Sequence, residues 1–168
     1  MTTISDSLAL GHPRFADASL AHTAAEEGAL AAWRQALRRA PADAPVNVKG
    51  DFAVALQDPD CSFAAVDRFA VRTLCWRVDR GVLRVAERAD QLVDDSPEID
   101  PQAIYDYLFF HAIPSPRTIF RGVHRLPPGH CLRFDGGQPD VRPYWRPEFR
   151  ESKPAFAPLR DEFRSLLR

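Results

Sequence analysis

Four strand-like segments follow one another between Val46 and Ala86, and this crowding restricts the fold more than any other feature. They span residues 46–57, 62–66, 73–78 and 82–86. Connections this short cannot hold a crossover helix, which parallel neighbours need, so the strands are expected to pair antiparallel. In the first segment Phe52, Val54 and Leu56 share one face. Ala53 and Ala55 take the other, where small side chains let another layer approach closely. Gly50 interrupts the segment and signals a bulge or a close backbone approach. Pro59-Asp60 and Asp79-Arg80-Gly81 read as turns.

Helices flank this region. Residues 1–16 read as irregular, with Gly11 and Pro13 as breakers. Asp17 is an N-cap for a helix over 18–27, which Gly28 stops. A second helix over 29–39 carries the stripe Leu30, Trp33 and Leu37 and ends before Pro41 and Pro45. A short helix is expected over 88–94. A better one runs from Asp100, its cap, through Pro101 at the first position to His111, with Ile104, Tyr107 and Leu108 as its stripe. A proline-rich connector leads through Pro128-Gly129 to a hairpin of 130–134 and 141–144 around Asp135-Gly136-Gly137. After Pro154 the spacing of Phe156, Leu159, Phe163, Leu166 and Leu167 predicts an amphipathic helix running to the end of the chain. The expected class is α+β, with one domain over 1–149 and the start of another over 150–168.

Composition excludes several functions. Net charge is -1 and the charges are interleaved, so neither nucleic acid nor an anionic membrane is an expected partner. No run of about 18 apolar residues exists to span a bilayer, and Met1–Leu10 lacks the features of a signal peptide. Cys61, Cys75 and Cys131 form no CxxC or Cys/His cluster. They predict a reducing, cytoplasmic setting, no metal site, and a role as small buried hydrophobes. His111, His124 and His130 sit at or beside element ends, which suits surface or capping roles. Trp33, Trp76 and Trp145 suit core or interface positions. Gly136-Gly137 is a hairpin tip, because no Lys-Ser/Thr and no helix follow it.

A series of peptides in order adds a more specific signal. Gly50-Asp51-Phe52-Ala53-Val54-Ala55-Leu56 is similar to the Gly-x-Phe-Ala-Phe-Ala strand of glutamine-hydrolysing asparagine synthetases. Asp67-Arg68-Phe69-Ala70-Val71-Arg72-Thr73-Leu74 resembles their Asp-Arg-Phe-Gly-x-Lys-Pro-Leu, and Val85-Ala86-Glu87-Arg88-Ala89 their Phe-Ala-Ser-Glu-x-Lys. Ile113-Pro114-Ser115-Pro116-Arg117-Thr118-Ile119-Phe120 and Leu126-Pro127-Pro128-Gly129-His130 resemble Ile-Pro-x-Pro-x-Thr-Ile-Phe and Leu-Pro-Pro-Gly-His. Arg142-Pro143-Tyr144-Trp145 matches the closing Arg-x-Tyr-Trp. The resemblance covers residues 50–145 and points to the amino-terminal, class II glutaminase-type domain of that family. It implies an N-terminal nucleophile hydrolase fold, an αββα sandwich of two mainly antiparallel sheets. Gly50, Phe52, Asp67, Arg68, Phe69, Pro128, Gly129, Tyr144 and Trp145 are then structural signature residues, with Asp67-Arg68 a turn or a local salt bridge.

Such glutaminases attack glutamine with the cysteine that begins the mature chain, assisted by its own α-amino group. Here Thr2 follows Met1. Threonine is a terminal nucleophile elsewhere in this fold, which makes Thr2 the candidate at that position. The family's glutamine-binding segments, Asn-Gly-Glu-Ile-Tyr-Asn, Ser-Asp-Thr-Glu and the arginine near Arg-Gly-Pro, do not occur before Gly50. No glutaminase activity is therefore expected. The resemblance implies a parent enzyme that activates a carboxylate with ATP and joins it to a nitrogen nucleophile. β-Lactam synthetases and lasso-peptide cyclases are similar in having lost the cysteine. ATP and Mg would belong to a synthetase domain, whose Ser-Gly-Gly-x-Asp-Ser loop is absent from these residues, so no cofactor is expected here. The expected partner is that synthetase domain, in cis or in trans, with a homodimer of the parent enzyme as a further expectation. The alternative is a non-catalytic module that binds a separate synthetase subunit.

Overall fold

The computed structural model describes residues 7–57, 61–151 and 155–167. Thr2, the Pro59-Asp60 turn and Pro154 lie outside the described residues. The central element is an antiparallel sheet in the order β1 (Leu8–Gly11), β4 (Phe52–Gln57), β5 (Ser62–Val66), β9 (His130–Phe134) and β10 (Asp140–Pro143). Its register sorts side chains by face. Val54 pairs with Ala65, which pairs with Cys131. Ala55 pairs with Ala64, which pairs with Leu132.

The first row, with Phe52, Leu56 and Phe63, packs under α2 (Ala29–Arg39) through Ala32, Trp33 and Ala36. Trp33 is fully buried, 5.3 Å from the Phe15 ring and 5.1 Å from that of Phe52. Helix α1 (Ala18–Glu27) lies beside α2 and is capped as expected, the Asp17 carboxylate accepting from the Leu20 N–H at 2.9 Å. The second row packs against another antiparallel sheet, in the order β7 (Val82–Ala86), β6 (Cys75–Asp79) and β8 (His124–Arg125), with Leu74, Leu83, Val85 and Leu126 filling the gap. The alanines of β4 and β5 are what let these sheets approach. The outer face of the smaller sheet carries Cys75, Ala86 and Val123 against Leu92 of a 3-10 turn, Ala89–Leu92. The class is α+β, as expected: a helical layer, then two antiparallel sheets face to face.

Four sequence expectations change. The four crowded strands do pair antiparallel, but in two hairpins that belong to different sheets, because β5 takes β9 as its second neighbour. Residues 8–15 are not irregular. Leu8–Gly11 forms the edge strand β1, and Arg14–Phe15 (β2) pairs with Val48–Lys49 (β3). Both strands are too short to show a period of two. Residues 46–57 are therefore not one strand. Gly50-Asp51 is the crossing between β3 and β4, which serve separate sheets. Gly50 has φ +92°, and a Cβ there would run into the His12 carbonyl, so the predicted close approach is real. The helix expected over 88–94 is only the 3-10 turn, closed by the Arg88 N–H on the Gln91 side chain at 3.1 Å.

Helix α3 (Pro101–Phe110) begins at Asp100, whose carboxylate accepts from the Gln102 N–H at 3.0 Å, and ends at His111 with φ +56°. Helix α4 (Phe156–Leu166) carries the predicted stripe, and Phe156, Leu159, Phe163 and Leu166 are all exposed.

Candidate functional site

The signature peptides converge on one end of the five-stranded sheet, and Asp67 is the centre of that convergence. It follows β5 and is 2% exposed. No Lys or Arg pairs with it among the described residues. Its carboxylate instead accepts four backbone N–H groups: Phe69 at 2.9 Å and Val71 at 3.2 Å on Oδ1, Arg72 at 3.1 Å and Phe52 at 3.3 Å on Oδ2. A buried carboxylate is tolerable only when its oxygens are filled in this way. The turn reading of Asp67-Arg68 holds, but the local salt bridge does not form. The Arg68 guanidinium donates to the Val46 carbonyl at 3.4 Å and lies 5.7 Å from the Trp145 ring centroid.

The Asp67 backbone extends the junction. Its N–H donates to the Phe52 carbonyl at 2.9 Å, and its carbonyl accepts from the Gly129 N–H at 3.0 Å. The Gly129 carbonyl in turn accepts from Tyr144 at 2.9 Å and Trp145 at 3.2 Å. The Tyr144 hydroxyl returns to the Val66 carbonyl at 2.7 Å, and burial pushes its phenol well above the usual range. Phe69 meets the Trp145 ring edge-on at 5.4 Å. Gly129 has φ +66°, and a Cβ there would lie 2.8 Å from the Trp145 carbonyl oxygen. Pro128 contributes through its carbonyl, which accepts from His130 Nδ1 at 2.8 Å and so fixes the proton on that nitrogen. Eight of the nine signature residues, Gly50, Phe52, Asp67, Arg68, Phe69, Gly129, Tyr144 and Trp145, thus surround one junction, with Pro128 adjoining it.

A cavity of about 320 Å³ opens beside this junction, lined by Val48, Lys49, Gly50, Asp51, Asp67, Arg68, Phe69 and Val71. Its lining has no Ser, Thr, Cys or His, and its ionisable side chains are Lys49, Asp51, Asp67 and Arg68. Asp51 was missed by the sequence reading. It accepts from Arg72 Nε at 3.0 Å and faces His12 Nδ1 at 3.3 Å, and the Arg72 bond holds its carboxyl below the usual range. The clamp on α3 was also missed. Arg117 of the proline-rich connector reaches Asp100 at 2.7 Å and Asp106 at 3.2 Å. The buried Thr118 hydroxyl donates to the Val123 carbonyl at 2.8 Å and shapes the same connector. The Asp51 and Arg117 partners lie eleven or more residues away in sequence, and no local pattern marks them.

The other candidates are scattered. His111 is the exposed C-cap of α3. His124 stacks on Trp76 at 4.7 Å, and burial holds its imidazole below the ordinary 6.5. Cys75 and Cys131 are buried, as expected, and burial pushes both thiols up. Cys61 corrects the expectation, being only half-buried, with Arg133 at 4.0 Å from its sulfur. Among the described residues no group of three or more His, Cys, Asp or Glu is placed to hold a metal ion, and no helix is long and apolar enough to cross a membrane. Gly136-Gly137 is a hairpin tip between β9 and β10, where Asp135 accepts from the Gly137 N–H at 3.2 Å.

Comparison with known proteins agrees with this junction. A family model described as a glutamine amidotransferase domain matches residues 33–145, which include all the signature residues. Proteins of Mycobacterium bovis and Mycobacterium tuberculosis that carry the provisional name asparagine synthetase (glutamine-hydrolyzing) are 32% identical over 115 residues. That segment is 62% of this chain and 18% of theirs. The amidase chyE of Penicillium rubens is 32% identical over 108 residues, 61% of this chain and 16% of its own length. The chain thus spans less than a fifth of the curated relatives it matches. With its signature peptides gathered at one sheet end and a family match across most of its length, the chain belongs to the class II glutamine amidotransferase domains related to asparagine synthetase-like proteins.

Proposed function

We propose that this chain is a glutaminase-type domain that keeps the N-terminal nucleophile hydrolase framework without glutamine hydrolysis, and that it serves as the structural partner of an ATP-dependent, amide-forming synthetase module. The carrying observation is the contrast between junction and thiols. In the Asp67–Gly129–Tyr144 junction the Asp67 carboxylate, the Gly129 peptide and the Tyr144 hydroxyl all have hydrogen-bond partners. The thiols suit attack poorly. Cys75 and Cys131 are buried and kept protonated, whereas a nucleophilic cysteine needs a thiolate and a nearby base. Cys61 has an arginine beside it and no histidine among its hydrogen-bond partners.

In this reading ATP and Mg bind the synthetase module, which forms an acyl-adenylate and accepts nitrogen from ammonia or a substrate amine. The protein works in the cytoplasm. The exposed stripes of α3 and α4 also favour a second reading, a module that binds a separately encoded synthetase subunit. The test is ammonia release from glutamine by the purified chain. The expected rate equals the buffer blank before and after alkylation with iodoacetamide. Release above the blank would overturn the proposal, and its loss or survival on alkylation would assign it to a thiol or to Thr2.

A further inference from the structure

Other cavities of the domain balance their cations with acids. Arg39 lies with Asp17 and Asp43, Lys49 and Arg68 with Asp51 and Asp67, and Arg117 with Asp100 and Asp106. A cavity of about 180 Å³ between α2 and the strands β5 and β9 does not. Its cations are Arg34 and Arg38 of α2 and Arg133 of β9, and no Asp or Glu is among its described lining residues. The rest of its wall is Leu37, Pro41, Phe63 and Cys61. Among the described residues none of the three arginines forms an ion pair, although Arg39, one step further along α2, pairs with Asp17 at 3.4 Å. Arg34 donates to the Ser7 hydroxyl at 3.2 Å, and Arg133 points at the Cys61 sulfur at 4.0 Å. A guanidinium has five donors in a fixed fork, so most remain for a ligand. The helix explains only part of this clustering. A cation in the last turn offsets the helix dipole, which accounts for Arg38. Arg34 stands a full turn earlier on the same face and repels it, and Arg133 comes from the sheet. Three like charges around one small, partly apolar space raise one another's energy, and an anion seated between them removes that cost.

We propose that this cavity binds a small organic phosphate monoester, its phosphoryl group on Arg34, Arg38 and Arg133 and its carbon body against Leu37, Pro41 and Phe63. Charge and shape select that class. A monoester carries close to two negative charges near neutral pH and three strong acceptor oxygens, as many as there are guanidiniums. A carboxylate offers one charge and two oxygens. The apolar wall gives contact to a carbon body, which inorganic phosphate lacks. The volume lies below the roughly 300 Å³ at which pockets for drug-sized ligands begin, so the body has to be compact. The cavity shares no lining residue with the one beside the Asp67 junction, and the inference stands whether or not the domain hydrolyses glutamine.

Isothermal calorimetry with phenyl phosphate tests the proposal on the 168-residue chain. Saturable binding is expected, with inorganic phosphate and phenylacetate both clearly weaker. Arg133→Gln and Arg38→Gln should each weaken phenyl phosphate by about tenfold or more, the worth of one hydrogen bond between charged groups. Arg80→Gln, in the turn between β6 and β7 of the other sheet, should leave the affinity unchanged. Circular dichroism checks that the variants fold. Arg38 is exposed and has no hydrogen-bonded side-chain partner among the described residues, so its variant carries the test even if Arg133→Gln does not fold. Location is read separately. Cys61 is on the cavity wall, whereas Cys75 and Cys131 are buried. Phenyl phosphate should therefore slow labelling of Cys61 by iodoacetamide, followed by peptide mass spectrometry. Absence of saturable heat, equal affinity for inorganic phosphate, full affinity in the folded arginine variants, or Cys61 labelling that phenyl phosphate leaves unchanged would each overturn the proposal.

Discussion

Replacing Asp67 with asparagine changes almost no volume and isolates the role of the buried carboxylate. In the parent each oxygen accepts two backbone N–H groups. Asparagine keeps one acceptor oxygen and sets an NH2 group against the other two N–H donors. Two buried donors then lose their acceptor, at about 1–3 kcal/mol each, and the other two exchange a charged acceptor for a neutral one. The expected loss is about 4 kcal/mol, a large share of the roughly 5–15 kcal/mol that holds a domain together. With a urea slope of about 2 kcal/mol/M the unfolding midpoint falls by on the order of 2 M. Urea titration followed by tryptophan fluorescence measures it, since Trp33 is fully buried. Asp51→Asn is the control. Its ion pair with Arg72 is solvent-screened, so its midpoint should stay close to the parent's. A midpoint for Asp67→Asn within about 0.5 M of the parent, an amount worth only about 1 kcal/mol, would refute the argument that this carboxylate organises the junction.

Gly129→Ala and Gly136→Ala both place a side chain at positive φ, +66° and +95°, but only the first meets other atoms. Both should lose the 1–2 kcal/mol typical of left-handed backbone, about, and Gly129→Ala should lose roughly 2 kcal/mol more through overpacking against Trp145; thermal melts of the pair test the difference. His124 has its folded pKa below the ordinary 6.5 because burial disfavours the imidazolium. Its contribution to stability is complete above that value and is lost as pH falls through 6.5 toward the folded pKa, where the unfolded chain takes up the proton first. The parent should therefore lose stability below pH 6.5 relative to His124→Phe, which keeps a ring against Trp76, and parallel unfolding curves in that acid range would contradict this.

What the sequence made legible follows from how local each signal is. The face assignment of β4 was readable because Phe52, Val54 and Leu56 alternate with alanines over six residues, and both cores honour it. The caps at Asp17 and Asp100 were readable because the donor they satisfy lies two or three residues away. Strands β1, β2, β3 and β8 have two to four residues each, and their existence depends on a partner across the sheet. No window of sequence contains that partner. The same holds for the Arg117 clamp, whose two acids lie on a different element.

The signature residues show why a family pattern tracks the fold and not the chemistry. Asp67, Gly129 and Tyr144 bind almost nothing but backbone: four N–H groups, a carbonyl relay and the Val66 carbonyl. Their partners are peptide groups that any sequence supplies, so the junction constrains only its own few positions and leaves neighbouring side chains free to change. A catalytic centre has the opposite requirement, because nucleophile, base and substrate pocket must all be present together. Loss of any one of these removes activity yet costs the fold little, whereas loss of Asp67 costs the fold directly. Detection of this family by its Asp-Arg-Phe and Leu-Pro-Pro-Gly-His peptides therefore tracks the folding junction of the domain, and activity has to be argued from the thiols and their surroundings.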